Sequence, residues 1–508
     1  MACVTRLAIA IATVFFSACS VWAQSGEIKL AAARDFAPGP KDAYYTANVL
    51  HVWEPLIGAG ENGEPVPVLA ESWQTSDDAM EWTFTLRDGV TFHDGTPLNS
   101  AAVIANYERW RKVSPKGSPF NVLNIEQSYP GLVEVRAIDE RRFSFVFNAS
   151  RPTLPYSIMN YSSPIYAPSS FDKDGNFNSK AIGTGPFRIV ERNPEVKVVL
   201  EANPNYWGQR AKSQRISIAT IPDADTRLSA LRAGEVVGLI GTGSLPADRA
   251  AELLQDPRFR ASSAISTSVH HVVANGRSSV FSDARLRKAV SLAIDRSKIA
   301  ELYSGYVVPT QNILNVTSPF YRHYEIQHDP IEAERIASEA LDNKRTPVRL
   351  LVGTFGTSRY PYRAQAEYIQ FALRPLGLDV EVQVLDTSTF FAALSKGQYE
   401  LALSIQMTAN ADPYSLFKGY MSSEGSSNAA LSLGYANAEV DALLERAEAA
   451  HDIAARRDIY EALQAIAVDT FPTIPLFTEK NLVAFDARIT GYSARIHDTT
   501  LPSLHLAD

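Results

Sequence analysis

The sequence contains very little cysteine. Its 508 residues include two cysteines, Cys3 and Cys19, and both precede residue 20. If this first segment is removed, the chain has no disulfide, no zinc–thiolate site and no cysteine nucleophile. The hydrophobic core must then stabilise the fold without cross-links. A chain of this length can do so, because larger domains bury a larger fraction of their surface.

Apolar runs long enough to span a bilayer are also missing. The best candidate, residues 7–18, is short and follows Arg6, the one charged residue before Gln24. A positive charge followed by a short apolar stretch is typical of a secretory signal. We therefore expect an exported protein.

Two alternative processing sites for this signal are compatible with the sequence. Residues 21–23 (VWA) are small or apolar where signal peptidase cuts, which predicts a soluble periplasmic chain that begins at Gln24. The alternative is a lipoprotein anchored at Cys19, since residues 16–19 (FSAC) partly match a lipobox. We favour the soluble form.

The chain has fewer basic residues than acidic residues. The formal net charge is −8, and it becomes about −9 once Arg6 leaves with the signal. Nucleic-acid binding needs a basic surface, so we expect no nucleic-acid partner. The negative charge favours solubility, and we expect a monomer.

Motifs for catalysis and metal binding are absent. HExxH and GxSxG do not occur, and the glycine-rich residues 241–244 (GTGS) lack the lysine of a phosphate loop. His323, Glu325 and His328 are interpreted as solvated residues of a polar loop. The adjacent His270 and His271 lie on a predicted strand, so they point to opposite faces and cannot easily share one ion. We expect no catalytic residues, no metal site, no cofactor and no enzymatic activity.

The periodicity of the chain predicts an α/β protein. Residues 81–86 alternate apolar and polar side chains, as a half-buried strand does, and Asn99 or Ser100 can cap a helix from Ala101. Residues 348–352, 364–373 and 380–385 read as strand, helix and strand, which implies two parallel strands. Residues 440–450 and 454–468 read as two consecutive helices.

Four segments together resemble one protein family. They are residues 66–103, IGTGPF at 182–187, NPNYWGQR at 203–210 and LRKAVSLAIDR at 286–296. In this order and spacing they resemble the periplasmic solute-binding proteins of peptide and nickel ABC importers, the bacterial extracellular solute-binding proteins of family 5. The resemblance extends from about residue 26 to the C-terminus.

The resemblance implies a two-lobed periplasmic binding protein fold of type II, cluster C, with a ligand cleft between the lobes and an extra α+β domain inserted in lobe one. Two crossovers would form the hinge. The expected parts are the signal peptide (1–23), lobe one (24–63, 181–272 and 473–508), the inserted domain (64–180) and lobe two (273–472).

The resemblance also suggests where ligand binds, but neither the dipeptide-binding nor the nickel-binding pattern is complete. Dipeptide-binding members carry a carboxylate where this chain has Ala409, and nickel-binding members use a histidine that is missing between Asp412 and His451. Arg359 lies near the position of an arginine that binds the peptide carboxylate. The residues expected to contact ligand are Arg34, Phe36, Tyr44, Tyr45, His271, Arg359, Met407, Asn410, Asp412 and Tyr414.

The implied function is that of an ABC importer receptor. It would bind a short peptide or a related small carboxylate-bearing solute and deliver it to a membrane permease and its ATPase. The alternative ligand is nickel or another metal held as a chelate. A secreted hydrolase, and a chaperone or chemoreceptor adaptor of the same fold, are the alternatives from other classes.

Overall fold

The computed structural model describes residues 26–36, 49–60, 63–113, 129–159, 164–177, 181–354, 360–407, 411–495 and 499–507. Four residues predicted to contact ligand lie outside these ranges, namely Tyr44, Tyr45, Arg359 and Asn410. The predicted signal and both cysteines lie outside them too.

The N-terminal part of the chain is rich in short strands. Its strands are β1 (Glu27–Ala32), β2 (Glu54–Pro55), β3 (Ile57–Ala59), β4 (Pro65–Pro67), β5 (Ala70–Thr75), β6 (Glu81–Leu86), β7 (Leu132–Ala137), β8 (Arg142–Phe147) and β9 (Pro164–Ile165). Its helices are α1 (Ser100–Val113) and α2 (Leu154–Ile158), with a 3₁₀ turn at Pro168–Ser170.

The next part ends in a long strand. Its elements are β10 (Phe187–Asn193), β11 (Lys197–Ala202), β12 (Arg215–Thr220), α3 (Ala224–Arg232), β13 (Gly238–Ile240), α4 (Ala247–Leu253) and β14 (Phe259–Ala274).

Helices dominate the following part. Its elements are α5 (Ala284–Ala293), α6 (Arg296–Leu302), β15 (Val307–Pro309), α7 (Pro330–Ala340), β16 (Thr346–Gly353), α8 (Tyr362–Leu373), β17 (Leu378–Leu385), α9 (Thr387–Ser395), β18 (Leu401–Met407), α10 (Tyr414–Met421) and α11 (Ser426–Ala430). A 3₁₀ turn at Arg374–Leu376 follows α8.

The C-terminal part supplies a second long strand. Its elements are α12 (Ala438–Ala449), α13 (Ile453–Thr470), β19 (Ile474–Asp486), β20 (Ile489–Thr490), a 3₁₀ turn at Leu501–Ser503 and β21 (His505–Leu506).

One large sheet runs through both lobes. Eleven described strands form it, in the order β10-β11-β12-β1-β13-β19-β14-β18-β16-β17, and β15 pairs with β19 as a side branch. We call the β10-to-β13 side lobe one and the β18-to-β17 side lobe two. β14 and β19 belong to both, because residues 259–265 pair with residues 480–486 on the lobe-one side and residues 269–272 with 474–478 on the lobe-two side. The register shifts between Ile265 and Val269, where the sheet passes from one lobe to the other.

A smaller sheet lies within residues 64–180. It has the order β5-β6-β8-β7 and is antiparallel throughout. Its inner face carries the aromatic residues Phe84, Phe143 and Phe145, and Phe145 packs against Tyr107 of α1. The alternation that predicts β6 is real, since Trp82, Phe84 and Leu86 are buried. The predicted domain boundaries themselves stay a prediction.

Two of the family-like segments hold the scaffold together. The buried carboxylate of Glu54 accepts hydrogen bonds from the Tyr206 hydroxyl (2.7 Å), the Trp207 indole (2.9 Å) and the Thr184 hydroxyl (2.8 Å). Burial raises its pKa despite these donors, which act to lower it. Gly183, in IGTGPF, leaves room for the Val52 carbonyl, with which a Cβ would collide. These residues position backbone, and none lines the cavity described below.

The segment LRKAVSLAIDR ends in a buried arginine. Arg296 donates to the carbonyls of Thr310 (3.1 Å), Pro475 (2.9 Å) and Ser291 (3.2 Å). Burial lowers its pKa to about 10, so the guanidinium stays charged at neutral pH. It therefore ties α6 to the first residues of β19, one of the two strands that link the lobes.

The predicted α/β class and two-lobed fold are confirmed. β16 and β17 are parallel and joined by α8, and α12 and α13 follow one another as predicted. Asn99 caps α1 through the amide of Ala102 (2.9 Å), and Asp329 caps α7 through the amide of Glu332 (2.9 Å). Among the described residues, no helix combines the length and the apolarity that crossing a membrane requires.

Candidate ligand-binding cleft

The carboxyl ends of strands from the two lobes point toward each other. β13 runs parallel to β14 toward lobe two, because both are antiparallel to β19. β18 is antiparallel to β14 and ends with Met407 opposite Ser268, so it points toward lobe one. Ligands of open α/β sheets bind beyond the carboxyl ends of strands. The topology therefore places the candidate cleft at the register shift of β14 and β19.

A cavity lies at this position, with walls from both lobes. Lobe one contributes Gly243, Leu245, Pro246 and Ala247, lobe two contributes Tyr303, Tyr306 and Tyr360, and β19 contributes residues 479–482. We call it the hinge cavity. Its volume is about 30 Å³. Since one water needs roughly 10–15 Å³ on this measure, the cavity holds one small chemical group rather than a whole peptide.

A buried arginine shapes the lobe-one wall. Arg227, on α3, donates to the carbonyls of Ser244 (2.9 Å), Gly243 (3.2 Å) and Ile221 (2.5 Å). The Ser244 hydroxyl also accepts from the amide of Ala33 (3.2 Å), directly after β1. Burial lowers the pKa of Arg227, and the carbonyls satisfy its donors. The loop after β13 is therefore fixed to the end of β1.

A tight turn presents two tyrosines on the lobe-two wall. Ser304 (φ 51°) and Gly305 (φ 77°) adopt left-handed conformations between α6 and β15. Tyr303 and Tyr306 flank this turn and both line the hinge cavity. The Tyr303 hydroxyl donates to Gln365 Oε1 (2.7 Å), which fixes its ring.

Tyr360 extends this wall into an aromatic cluster. Its ring stacks on Tyr362 (5.2 Å between centroids) and meets His270 edge-on (4.7 Å). His270 in turn stacks on Phe477 at 4.4 Å. The walls of the cavity on the lobe-two side are thus rings that pack against rings, which makes them rigid.

Glu479 is a buried acid at this cavity, only 7% exposed. Its Oε2 lies 3.4 Å from His270 Nε2, and its Oε1 accepts from the Ser266 hydroxyl at 3.5 Å. The imidazole contact is within ion-pair range but lacks hydrogen-bond geometry. His270 Nδ1 and the Tyr362 hydroxyl are 2.8 Å apart, so a proton on Nε2, toward the carboxylate, lets Nδ1 accept from Tyr362. Burial and then the charge of Glu479 raise the pKa of Tyr303 well above its usual value.

The predicted residues at the end of β1 have different surroundings. Arg34 is exposed. Its neighbour Asp35 accepts from Arg192 at 2.7 Å. Phe36 is 2% exposed and packs in the lobe-one core beside Gly241. Ligand contact by Arg34 and Phe36 stays a prediction, and neither lines the hinge cavity among its described residues.

His270 and His271 occupy opposite faces of β14, as predicted. His271 is 1% exposed and lies beside Tyr420, with ring centroids 5.9 Å apart. Neither of its ring nitrogens has a hydrogen-bond partner among the described residues. Burial lowers its pKa to about 3, so this imidazole is neutral at physiological pH. A contact between His271 and ligand stays a prediction, while His270 faces the aromatic cluster.

Asp412 lies in an enclosed polar network. Its Oδ1 accepts from the Tyr460 hydroxyl (2.6 Å) and the Tyr414 amide (3.1 Å), and its Oδ2 accepts from Arg456 Nη1 (3.2 Å) and from the Thr153 hydroxyl. Asp412 and Arg456 are both buried. Thr153 belongs to the small-sheet part of the chain, so the network joins that part to lobe two.

Two further predicted residues, Met407 and Tyr414, lie in lobe two. Met407 ends β18, opposite Ser268 of β14. Tyr414 begins α10, and its hydroxyl donates to Glu448 at 2.9 Å. A role for Met407, Asp412 and Tyr414 in ligand contact stays a prediction.

Sequence reasoning missed most of the hinge cavity. It considered His270 but not Glu479, Tyr303 or Tyr306. One signal was present, because Glu479 lies in a short polar run, TEKN at 478–481, between the apolar residues of IPLFTEKNLVAF at 474–485. Among the described residues, no group of three or more His, Cys, Asp and Glu side chains is arranged to hold a metal ion.

Comparison with known proteins agrees with this architecture. The family model "Bacterial extracellular solute-binding proteins, family 5 Middle" matches residues 64–428. The probable D,D-dipeptide-binding periplasmic protein DdpA of Escherichia coli K12 is 26% identical over 432 residues, covering 84% of this chain and 81% of that protein. The nickel-binding periplasmic protein of the same organism is 27% identical over 400 residues, covering 74% of this chain and 75% of that protein.

Solved structures share the fold at lower identity. NikA from Brucella suis in complex with Fe(III)-EDTA has a TM-score of 0.82 at 22% identity and covers 94% of this chain and 99% of its own. DppA from Helicobacter pylori in complex with the peptide STSA has a TM-score of 0.74 at 22% identity, with coverages of 95% and 98%. The family model spans most of the chain, and so this protein belongs to the bacterial extracellular solute-binding proteins of family 5.

Proposed function

We propose that the chain is the extracytoplasmic receptor of an ABC importer. It binds a short peptide, or a related small carboxylate-bearing solute, between its lobes and delivers it to a membrane permease and its ATPase. The observation that carries this proposal is the hinge cavity, because both lobes and a linking strand contribute to its walls. A solute with one group in this cavity contacts both lobes at once, and such contacts favour the closed state over the open one.

The relatives support the peptide class. DdpA is named for D,D-dipeptides, and a relative from Pseudomonas aeruginosa, 26% identical over 458 residues, is named as a di/tripeptide-binding protein. The GsiB protein of Escherichia coli, 25% identical over 513 residues, is named for glutathione, itself a small peptide with free carboxylates. A soluble, monomeric, periplasmic form that starts at Gln24 belongs to the same proposal, with lipid attachment at Cys19 as its alternative.

A metal chelate is the second candidate ligand. The nickel-binding relative favours it, and so does the fold shared with a protein solved with Fe(III)-EDTA. A chelator would present carboxylates rather than a bare ion, and arginine binds carboxylates well. We propose binding without turnover for either ligand class, since no nucleophile–base pair is recognisable in the sequence.

Thermal melting with two ligand sets tests the proposal. One set contains di- and tripeptides including glutathione, and the other contains Ni²⁺ with histidine, Fe(III)-EDTA and free Ni²⁺. We expect the melting temperature to rise with concentration for members of one set, by simple linkage. Mass spectrometry of the periplasmic protein under native and then denaturing conditions should release a solute of the same class. No stabilisation by either set, or release of a cleaved product, would contradict the proposal.

A further inference from the structure

The hinge cavity has a chemical preference that the family membership does not supply. Its single described acidic side chain is Glu479, and its other polar residues are three tyrosines, Lys480 and Asn481. Lys480 also borders it, but successive residues of a strand point to opposite faces. Lys480 pairs with Ile265 of β14, whereas Glu479 pairs with Val307 of β15. The Glu479 carboxylate lies on the side of Tyr303, because its Oε2 is 3.4 Å from His270 Nε2 and the rings of His270 and Tyr303 are 6.5 Å apart.

The tyrosines complement this charge. Tyr303, Tyr306 and Tyr360 line the cavity from the lobe-two side, and aromatic rings attract cations. Tyr303 and Tyr360 are in one cluster with Phe477 and His270, so their rings are held in place. A carboxylate with several rings around a small space is the arrangement that recognises ammonium and guanidinium groups.

The size and surroundings of the cavity agree with a small head group. About 30 Å³ accommodates an ammonium or the end of a guanidinium, but not a peptide backbone. Putting an anion there would bring two negative charges together in a desolvated space, which is strongly unfavourable. The lobe-one wall closes the space with backbone and apolar groups that Arg227 fixes from behind.

We propose that the hinge cavity is the subsite for a positively charged group of the solute, with Glu479 as its counter-ion and Tyr303, Tyr306 and Tyr360 as its aromatic walls. This inference rests on the proposed receptor function and narrows its ligand class. The transported solute carries an amine or guanidine, either the free amino end of a peptide or a basic side group.

A matched set of small probes tests the charge requirement on the unmodified protein. The cations are n-butylammonium, agmatine and choline, the neutral analogues are n-butanol and N-butylacetamide, and the anion is butyrate. Binding of each is measured by ligand-detected NMR at millimolar concentration. We expect saturable binding of the cations and none of the neutral or anionic analogues. Equal binding of n-butanol, or preferential binding of butyrate, overturns the inference.

Two variants test the residues. Glu479→Gln keeps the shape and removes the charge, and we expect cation affinity to fall by about tenfold to a hundredfold, the size of a charge-assisted hydrogen bond. Tyr360→Leu should weaken cation binding by about two- to thirtyfold. Glu400→Gln is the matched control, because Glu400 pairs with Arg349 (2.8 Å) and adjoins the end of β18 that lies far from the cavity. It should bind the cations as the parent does.

The outcomes separate this inference from the receptor function. If a peptide or chelate stabilises the protein but chemical acetylation of its amine, or Glu479→Gln, leaves affinity unchanged, the cation subsite is wrong and the receptor function stands. If Glu479→Gln does not fold, two other measurements test the cation subsite. They are the loss of cation binding in Tyr360→Leu and the binding of the probe set to the parent protein. If no cation, peptide or chelate binds the parent protein, both proposals fail.

Discussion

Two buried carboxylates of this protein have different surroundings. Asp412 accepts hydrogen bonds on both oxygens, from Tyr460, Tyr414, Thr153 and Arg456, and Arg456 neutralises its charge. Glu479 lies instead at a cavity between the lobes, near an imidazole and three tyrosines. The fold itself supplies hydrogen-bond donors to both carboxylate oxygens of Asp412. Glu479 instead borders a space into which a solute group fits.

The chain position of a carboxylate does not decide its role. Asp412 is one of the residues predicted to contact ligand, yet its partners include Thr153, 259 residues away. The contacts around it continue with the Ala411 amide, which donates to the Tyr156 carbonyl (3.2 Å), and with His451 Nδ1, which is 3.0 Å from the Ser150 hydroxyl. We therefore infer that Asp412 acts as a latch between lobe two and residues 150–156.

The largest expected effect is on the latch. Asp412→Ala leaves the guanidinium of Arg456 buried without its carboxylate, and we expect the free energy of unfolding to fall by about 3–5 kcal/mol. Urea unfolding measures this change. The double variant with Arg456→Met should recover much of the loss, because a buried pair replaced by apolar groups is often close to neutral. If Asp412→Ala keeps its stability but no longer binds solute, Asp412 contacts the ligand instead of joining lobe two to residues 150–156.

The second prediction concerns the two faces of β14, which carry His270 and His271. Lowering the pH should decrease the stability of the protein through His271. Burial lowers the pKa of His271 to about 3 from 6.5. The unfolded state therefore binds the proton first as pH falls, so stability is complete above pH 6.5 and decreases below it. We expect a loss of about 3 kcal/mol between pH 6.5 and about pH 4.5 from this residue.

The variant His271→Phe isolates this contribution. Phenylalanine fills the space without a titrating group or unsatisfied nitrogens, so it should flatten the acid side of the stability curve measured by chemical denaturation. His93 contributes a similar but separate loss of stability at low pH, because burial lowers its pKa to about 4. An unchanged slope in His271→Phe would show that the imidazole is not buried. The same variant, assayed for solute affinity, tests the predicted ligand contact of His271.

A third prediction concerns the opposite charge of the solute. Arg359 is expected from sequence to bind a carboxylate, which would complement the cation at Glu479. Arg359→Ala should weaken solute binding by about tenfold to a hundredfold in calorimetry, equivalent to about 1.5–3 kcal/mol. Arg359→Lys should recover part of this, since an ammonium lacks the planar fork of guanidinium. Full affinity in Arg359→Ala would direct the search to Arg34.

The smallest expected effect is on the stability of Glu479→Gln. Glutamine keeps the shape and one acceptor oxygen, so we expect the free energy of unfolding to change by only about 1 kcal/mol, far less than in Asp412→Ala. Thermal or urea unfolding of the empty protein gives the value. A loss as large as that of Asp412→Ala would mean that Glu479 is a structural ion pair, and the contrast between the two carboxylates would disappear.

Local signals predicted the scaffold well. The alternation at residues 81–86, the capping residue Asn99 and the predicted strand–helix–strand unit at 348–385 all depend on neighbours within a few positions. The resemblance of four segments identified the family correctly. Glu54 and Arg296 explain part of that resemblance physically, because both secure backbone that the fold requires.

The site was harder to predict because its parts are distant in sequence. The hinge cavity combines a loop at 243–247, a turn at 303–306, Tyr360 and β19, and no periodicity connects these segments. Glu479 looked like one of many charged residues until its strand was placed between the lobes. Tyr44, Tyr45, Arg359 and Asn410 lie outside the described residues, so their predicted contacts stay predictions.

Hydrogen–deuterium exchange with and without the best-binding solute of the melting screen tests the central claim, that the solute binds in the hinge cavity between the lobes. We expect amides at 243–247, 303–306 and 479–482 to exchange more slowly together when solute is bound, since both walls and the linking strand enclose it. The amides of the latch residues around Asp412 should exchange more slowly only as an indirect result of lobe closure. Protection confined to one wall, or to the Asp412 network alone, would contradict the account.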